Sequence, residues 1–268
     1  MEQQELLENS FSDPGRRTAL VTGASRGIGA AIAEHLAQAG FDLILTCEKN
    51  MAQLSALANA LIGHFGVQVR AFACDAGSAA DTAELFEAVT GPDGLINFQK
   101  PSMLTVLVNN AGTAHYGLIQ DMTDEEWRHV LSVNLDSVFY MSRAAIPYFL
   151  QAREYETPRI LNVTSIWGEA GASAEAAYSA SKGGVNAFTR ALAKELAPSG
   201  IAVNALSCGV IDTSMNAHLS AEERQALMQE IPADRFGTAQ EAAQAALKIL
   251  EMPAYLTGQI IRIDGGFL

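Results

Sequence analysis

Short apolar runs alternate with longer stretches of helical periodicity along the chain. TALVTGA (18–24), FDLILTC (41–47), VQVRAFACD (67–75) and TVLVNNAG (105–112) come first. RILNVTS (159–165), IAVNALSCG (201–209) and QIIRIDG (259–265) follow. These runs are apolar nearly throughout rather than alternating, which predicts parallel strands covered on both faces. The stretches between them, among them 27–39, 78–90, 123–149 and 174–197, carry helical patterns. Such alternation predicts an α/β architecture, a doubly wound parallel sheet of about seven strands flanked by helices. No repeat, low-complexity tract or linker divides it, so residues 17–268 are expected to form a single domain. Residues 1–16 are polar and acidic with a Pro-Gly pair, and are expected to be a flexible arm.

Composition narrows the function. The chain has 268 residues, 49% hydrophobic and 18% charged, enough for a large core. No apolar run reaches the ~18 residues of a membrane span, and no signal peptide opens the chain. A net charge of −13 argues against nucleic acid or an anionic membrane as partner. Three cysteines, Cys47, Cys74 and Cys208, lack metal spacing and suit a reducing cytoplasm. No metal site is expected.

Directly after the first strand run stands TGASRGIG (22–29). Gly23, Gly27 and Gly29, with Ser25, Arg26 and Ile28 between them, form a loop between a strand and a helix. Such a loop lets backbone amides approach a pyrophosphate at the helix N-terminus, the Rossmann-type arrangement. The Gly-Lys-Ser/Thr loop of phosphoryl transfer is absent. Cofactor choice turns on a few side chains. Arg26, with Lys49 nearby, suits a 2′-phosphate and favours NADP(H); Glu48, following Cys47 at the end of the second strand, points towards NAD(H).

Tyr178 and Lys182 stand four apart on a predicted helix, so they share one face. Ser165 ends a predicted strand, where α/β sheets place ligands. A phenol with pKa about 10 exchanges protons poorly at neutral pH, and a nearby ammonium is expected to lower that value. Ser165 is suited to hydrogen-bond a carbonyl oxygen as it becomes an alkoxide. Lys182 is also placed to hold the nicotinamide ribose.

TGASRGIG, NNAG (109–112), VNLDSVF (133–139), VTSIWG (163–168), YSASK (178–182) and YLTGQIIRIDGG (255–266) together resemble the short-chain dehydrogenase/reductase family, from about Thr18 onward. The resemblance implies oxidoreductase chemistry between a carbonyl and a secondary alcohol, with Asn134, Ser165, Tyr178 and Lys182 as a tetrad. In it Asn134 supports a proton relay. Asp75 would contact the adenine; Asn109, Ala111 and Gly112 would border the cofactor; Ile211 and Thr213 would meet the nicotinamide carboxamide. Residues 211–237 would form a substrate lid, with Met215, His218 and Leu219 able to touch substrate. The family's helices after the fourth and fifth strands imply a homo-oligomer, dimer or tetramer.

Within the family the pattern is most similar to 3-oxoacyl-acyl-carrier-protein reductases, which makes 3-oxoacyl thioesters the leading substrate class. The acids Glu154 and Glu156, and the overall charge, count against an acidic carrier. SIWG followed by GAS also resembles reductases of the aminopentanone modification of elongation factor P. Sugar, polyol and small-ketone dehydrogenases share the same core motifs. A dinucleotide-binding sensor without turnover is the reading of a different class, and intact Ser165, Tyr178 and Lys182 speak against it.

Four features depart from the pattern or stay open. Cys208 replaces the usual proline of a Pro-Gly pair, as a reactive thiol or an inert buried one. TGPDGLINFQKPSM (90–103) is long and predicts a surface excursion. His115 is either a substrate contact or a rim histidine in a structural hydrogen bond. Trp167 is either a pocket wall or core packing.

Overall fold

The computed structural model describes residues 16–90, 94–96, 102–154, 156–217 and 219–268. Its strands are β1 (Arg16–Val21), β2 (Asp42–Cys47), β3 (Val69–Ala73), β4 (Ser102–Asn109), β5 (Arg159–Ser165), β6 (Ala202–Cys208) and β7 (Ile260–Ile263). All pair in parallel, in the order β3-β2-β1-β4-β5-β6-β7. The order reverses between β1 and β4, so the loops leaving their carboxyl ends diverge and open a crevice. Residues 22–24 and 110–112, expected as the ends of strands, have already left the sheet as these loops.

The helices are α1 (Gly27–Gln38), α2 (Met51–Phe65), α3 (Ala79–Thr90), α4 (Asp124–Leu131), α5 (Ser137–Ala152), α6 (Trp167–Ala170), α7 (Ala176–Leu196), α8 (Ala221–Glu230) and α9 (Ala239–Glu251). Strand side chains alternate between two apolar layers, as the pleat requires. Ala19, Val21, Leu43, Leu45, Val106 and Val108 point to one layer with Leu36, Leu54 and Ala243. Leu20, Ile44 and Leu107 point to the other with Phe86, Phe149 and Leu192. Helices α1, α2 and α9 therefore cover one face, and α3, α5 and α7 the other. Burying these side chains stabilises the fold by roughly 1.5–3 kcal/mol for each large one.

Three expectations change in detail. Strands β2 and β6 are buried at every position, but the edge strands β3 and β7 are partly exposed, because each has a neighbour on one side only. The stretch expected as one helix over 123–149 is α4 and α5 joined by a π-helical turn, Ser132–Asp136. Such turns insert an extra residue and cluster at functional sites; this one carries Asn134. Most of the expected excursion at 90–103 lies outside the described residues, as does the expected arm over 1–16 except Arg16, which opens β1. Within the excursion Leu95 and Ile96 are buried beside Val89, whose carbonyl accepts a hydrogen bond from the Ile96 N–H at 2.9 Å.

Candidate active site

The carboxyl ends of the central strands surround a cavity of about 820 Å³. One half lies over the glycine loop. Helix α1 begins with no side-chain cap at Arg26 and no acid in its first turn, so its free N–H groups face the cavity as an anion site. The loop is tied to its neighbour after β4. The Thr22 hydroxyl accepts from the Asn110 and Ala111 N–H groups, each at 3.0 Å. The Asn110 amide donates to the carbonyls of Thr22 and Gly23, at 2.9 and 3.0 Å. A Cβ on Gly29 would strike that Asn110 amide and come within 2.5 Å of the Gly23 carbonyl oxygen, so only glycine fits. An uncapped helix start behind a loop that excludes side chains fits a dinucleotide pyrophosphate.

The other half is built on β5 and α7. Ser165 ends β5, and Tyr178 and Lys182 stand one turn apart on the buried face of α7. The Ser165 hydroxyl faces the Tyr178 phenol, near enough to favour its charged form. The Lys182 ammonium donates to the Val163 carbonyl at 3.0 Å and lies 5.9 Å from the centroid of the Tyr178 ring. The Trp167 N–H donates to Ser165 Oγ at 3.2 Å, which fixes the serine from the far side. Helix α6 approaches α7 so closely that a Cβ on Gly168 would come 2.6 Å from the Lys182 carbonyl carbon.

Asn134 lies behind the wall, fully buried. Its Oδ1 accepts from the Thr113 N–H at 2.7 Å, and its Nδ2 donates to the Thr113 carbonyl and the Ser181 hydroxyl, both at 2.9 Å. Asn134 Oδ1 and Lys182 Nζ flank the same spot above Gly112, 3.3 and 3.4 Å from where a Cβ would stand.

Burial governs the electrostatics, because a poorly solvated cavity disfavours every charged form. It lowers Lys182 to about 8, against a favourable influence of Cys208. It pushes the Cys208 thiol up to about 12, which makes this cysteine the inert alternative. It also raises the Tyr178 phenol, and the Ser165 hydroxyl offsets this only in part. That corrects the expectation that Lys182 lowers Tyr178: in this structure burial decides the direction.

Of the residues expected from sequence, Gly23, Ser25, Arg26, Gly27, Ile28, Asp75, Ala111, Gly112, Ser165, Trp167, Tyr178, Lys182, Ile211, Thr213, Met215 and Leu219 line the one cavity. Trp167 also meets Phe267 edge-on at 5.4 Å, but both rings are only partly buried and belong to neither apolar layer, so the wall is the position the structure gives it. Gly29, Asn109, Asn134 and His115 are not on the wall. The Asn109 amide donates instead to Asn162 Oδ1 at 2.9 Å and to Ser142 Oγ at 3.3 Å. Its neighbour Asn110 takes the wall position. His115 packs on Gly117 and faces Glu126, the rim alternative. His218 lies outside the described residues. Sequence reasoning missed Tyr116 and Glu175, both on the wall. The spacing of Glu175, three before Tyr178, was a usable signal.

Two kinds of similarity agree with this geometry. The family model of short chain dehydrogenases matches residues 17–224. A Bacillus subtilis protein described as an uncharacterized oxidoreductase, YmfI, is 35% identical over 252 residues, 94% of this chain and 98% of its own. The Escherichia coli 3-oxoacyl-[acyl-carrier-protein] reductase FabG is 36% identical over 252 residues, 93% of this chain and 96% of its own. A Synechocystis 3-oxoacyl-[acyl-carrier-protein] reductase is 37% identical over 257 residues, with 94% and 97% covered. With a glycine-loop crevice and a Ser-Tyr-Lys site on one cavity, the chain belongs to the short chain dehydrogenase family.

Proposed function

We propose that the protein is an NADP(H)-dependent reductase of 3-oxoacyl thioesters, working by hydride transfer between cofactor and substrate carbonyl. The observation that carries this reading is that Ser165, Tyr178 and Lys182 share one cavity with the glycine loop. Bound along that cavity, the nicotinamide cofactor supplies the hydride. The protein's own groups do the rest. Ser165 and Tyr178, side by side on the wall, direct two hydroxyls at one carbonyl oxygen. A phenol kept neutral by burial holds its proton until that oxygen becomes basic, and then delivers it. Lys182, anchored on Val163, supplies positive charge beside the forming alkoxide and the ribose. Asn134 holds the 113 loop and Ser181 behind this group.

The thioester class is supported by the carrier-protein reductases among the relatives. Preference for NADP(H) is supported by Arg26 and Lys49 on the wall where the adenosine ribose would lie. Lys49 pairs with Glu48 at 2.9 Å, which occupies the acid that would otherwise favour NAD(H). Exposed Trp127, Phe139 and Leu150 on α4 and α5 support assembly as a homo-oligomer. Three buried free cysteines support a reducing, cytoplasmic setting. Among the described residues, no helix is long and apolar enough to cross a membrane.

The test is steady-state reduction of an acetoacetyl thioester, a sugar ketone and a simple ketone, each with NADPH and NADH. The thioester with NADPH is expected to give the highest kcat/KM. Preference for NADH, or for the sugar, overturns the corresponding part of the reading. Tyr178→Phe is expected to lose about 10²–10⁴-fold in kcat with an unchanged melting temperature.

A further inference from the structure

Glu175 is the one acidic side chain on the reacting half of the cavity wall, and the chemistry above gives it nothing to do. It immediately precedes α7, so it lies one turn before Tyr178 on the same side of the helix. It is 9% exposed and lines the cavity. Among the described residues its carboxyl group makes no hydrogen bond or ion pair. The Tyr116 ring lies beside it, and the same cavity carries Trp167 and Leu227. A buried carboxylate without a partner is costly, so the group gains by holding a proton, and burial pushes its pKa up to about 7.

We propose that Glu175, as a neutral carboxylic acid, donates its O–H to a second oxygen of the substrate, the thioester carbonyl that lies one carbon from the reacting ketone. Three features select this ligand. The donor stands three residues before Tyr178 at the start of the same helix, near enough for its charge to act on that phenol, so one small substrate can meet both groups. The carboxyl group has no protein partner to give up on binding. A polar acceptor that reaches this part of the wall has few other donors to meet. Glu175 is thus a specificity residue that separates 3-oxoacyl substrates from simple ketones. The inference rests on the reductase reading above and names the group that fixes its substrate class.

Because the donor is an acid, substrate affinity should carry its titration. The titratable groups on the wall around this half of the site are His129 from α4, Tyr116 from the 113 loop, Tyr178 and Lys182 from α7, and Cys208 from β6. Burial raises both tyrosines and Cys208, and Lys182 is lowered to about 8, so of the groups that burial shifts Glu175 is expected to titrate first as pH rises from 6, and His129→Gln is the control that should leave the KM profile in place.

The experiment measures kcat and KM from pH 6 to 8.5 for acetoacetyl-N-acetylcysteamine and for cyclohexanone, in the full-length protein and in Glu175→Gln and Glu175→Ala. In the unmodified protein, KM for the thioester is expected to rise about tenfold across pH 7 while that for cyclohexanone stays flat. Glu175→Gln keeps an N–H donor and should hold KM low at every pH. Glu175→Ala should raise thioester KM about tenfold at pH 6 and leave cyclohexanone within about twofold. Glu175→Gln matching Glu175→Ala overturns the donor role, as does an equal effect of Glu175→Ala on both substrates. A preference for an amino ketone over the neutral thioester, lost in Glu175→Gln, assigns the carboxylate to a cation instead and also overturns it. Reduction of cyclohexanone with no KM advantage for the thioester sinks this inference alone. Turnover of neither substrate sinks the reductase reading and this inference with it.

Discussion

The two sides of the cavity are held in opposite ways. On the sheet side, Asn134, Ser165, Tyr178 and Lys182 are all at most 8% exposed, and Asn134, Ser165 and Lys182 are held by hydrogen bonds to loop, helix or strand. On the other side stands the 211–237 segment. Its ends are anchored by buried Ile211, Ile231 and Phe236, but α8 between them has no buried residue. It is held by capping at Ser220 and by Arg224, which pairs with Asp212 at 3.1 Å and stacks over Phe236. Chemistry needs groups fixed to a fraction of an ångström, and a packed core supplies that. Entry and exit of substrate need an element whose opening costs little, and an exposed helix supplies that.

Substitutions on the two sides should therefore differ in kind. The largest effect is expected from Lys182→Met, about 10³-fold lower kcat. It also tests the electrostatics through stability. Burial lowers the folded-state pKa of Lys182 from 10.5 to about 8, so the unfolded chain binds this proton more tightly. The penalty is fully present below pH 8 and fades as pH rises from 8 to 10.5. Relative to Lys182→Met, the unmodified protein should gain up to about 3 kcal/mol across that window. Urea unfolding at pH 7.5, 9 and 10.5 measures it, and a flat difference refutes the assignment. Next comes Gly29→Ala. Its Cβ would collide with Asn110 and the Gly23 carbonyl, so the loop must shift, at about 1–3 kcal/mol. Cofactor KM should rise at least tenfold, and calorimetry should show a lower melting temperature. Asn134→Ala strands the Thr113 N–H and carbonyl, at about 1–3 kcal/mol. A small drop in kcat should accompany it, since the catalytic groups keep their direct contacts.

The same contrast explains what the sequence revealed. Strand β5 spans the expected residues, 159–165, because its Ile160, Leu161 and Val163 are β-branched or apolar and the run is bounded by Pro158 and the start of the next helix. Ser165, Tyr178 and Lys182 were legible because a strand end and an i,i+4 pair are local patterns. Less legible was anything set by packing between segments. Asn109 and Asn110 are adjacent and chemically identical, and only the position of Asn162 decides which of them turns inward. The π turn that carries Asn134 leaves no mark on the hydrophobic period. The direction of the Tyr178 shift was misjudged because a sequence shows charges but not solvent. Glu175 was passed over because it follows a run of small residues and matches no motif.

The smallest effect, and the sharpest test of the comparison, belongs to Arg224→Ala. Arg224 is the side chain that ties α8 to both ends of the 211–237 segment, through the Asp212 pair and the Phe236 ring. The pair is half-exposed, and such pairs contribute about 0–1 kcal/mol. The melting temperature should therefore move by no more than a few degrees. If 211–237 acts as a lid, the loss appears elsewhere: the closed form is less populated, so substrate KM rises about three- to fivefold. The kcat should hold, because Ser165, Tyr178 and Lys182 are fixed from the sheet side and do not depend on α8. Unfolding by urea and Michaelis kinetics on the same preparation separate the two outcomes. A stability loss above about 2 kcal/mol would show that α8 is part of the packed body after all, since exposed substitutions rarely cost so much.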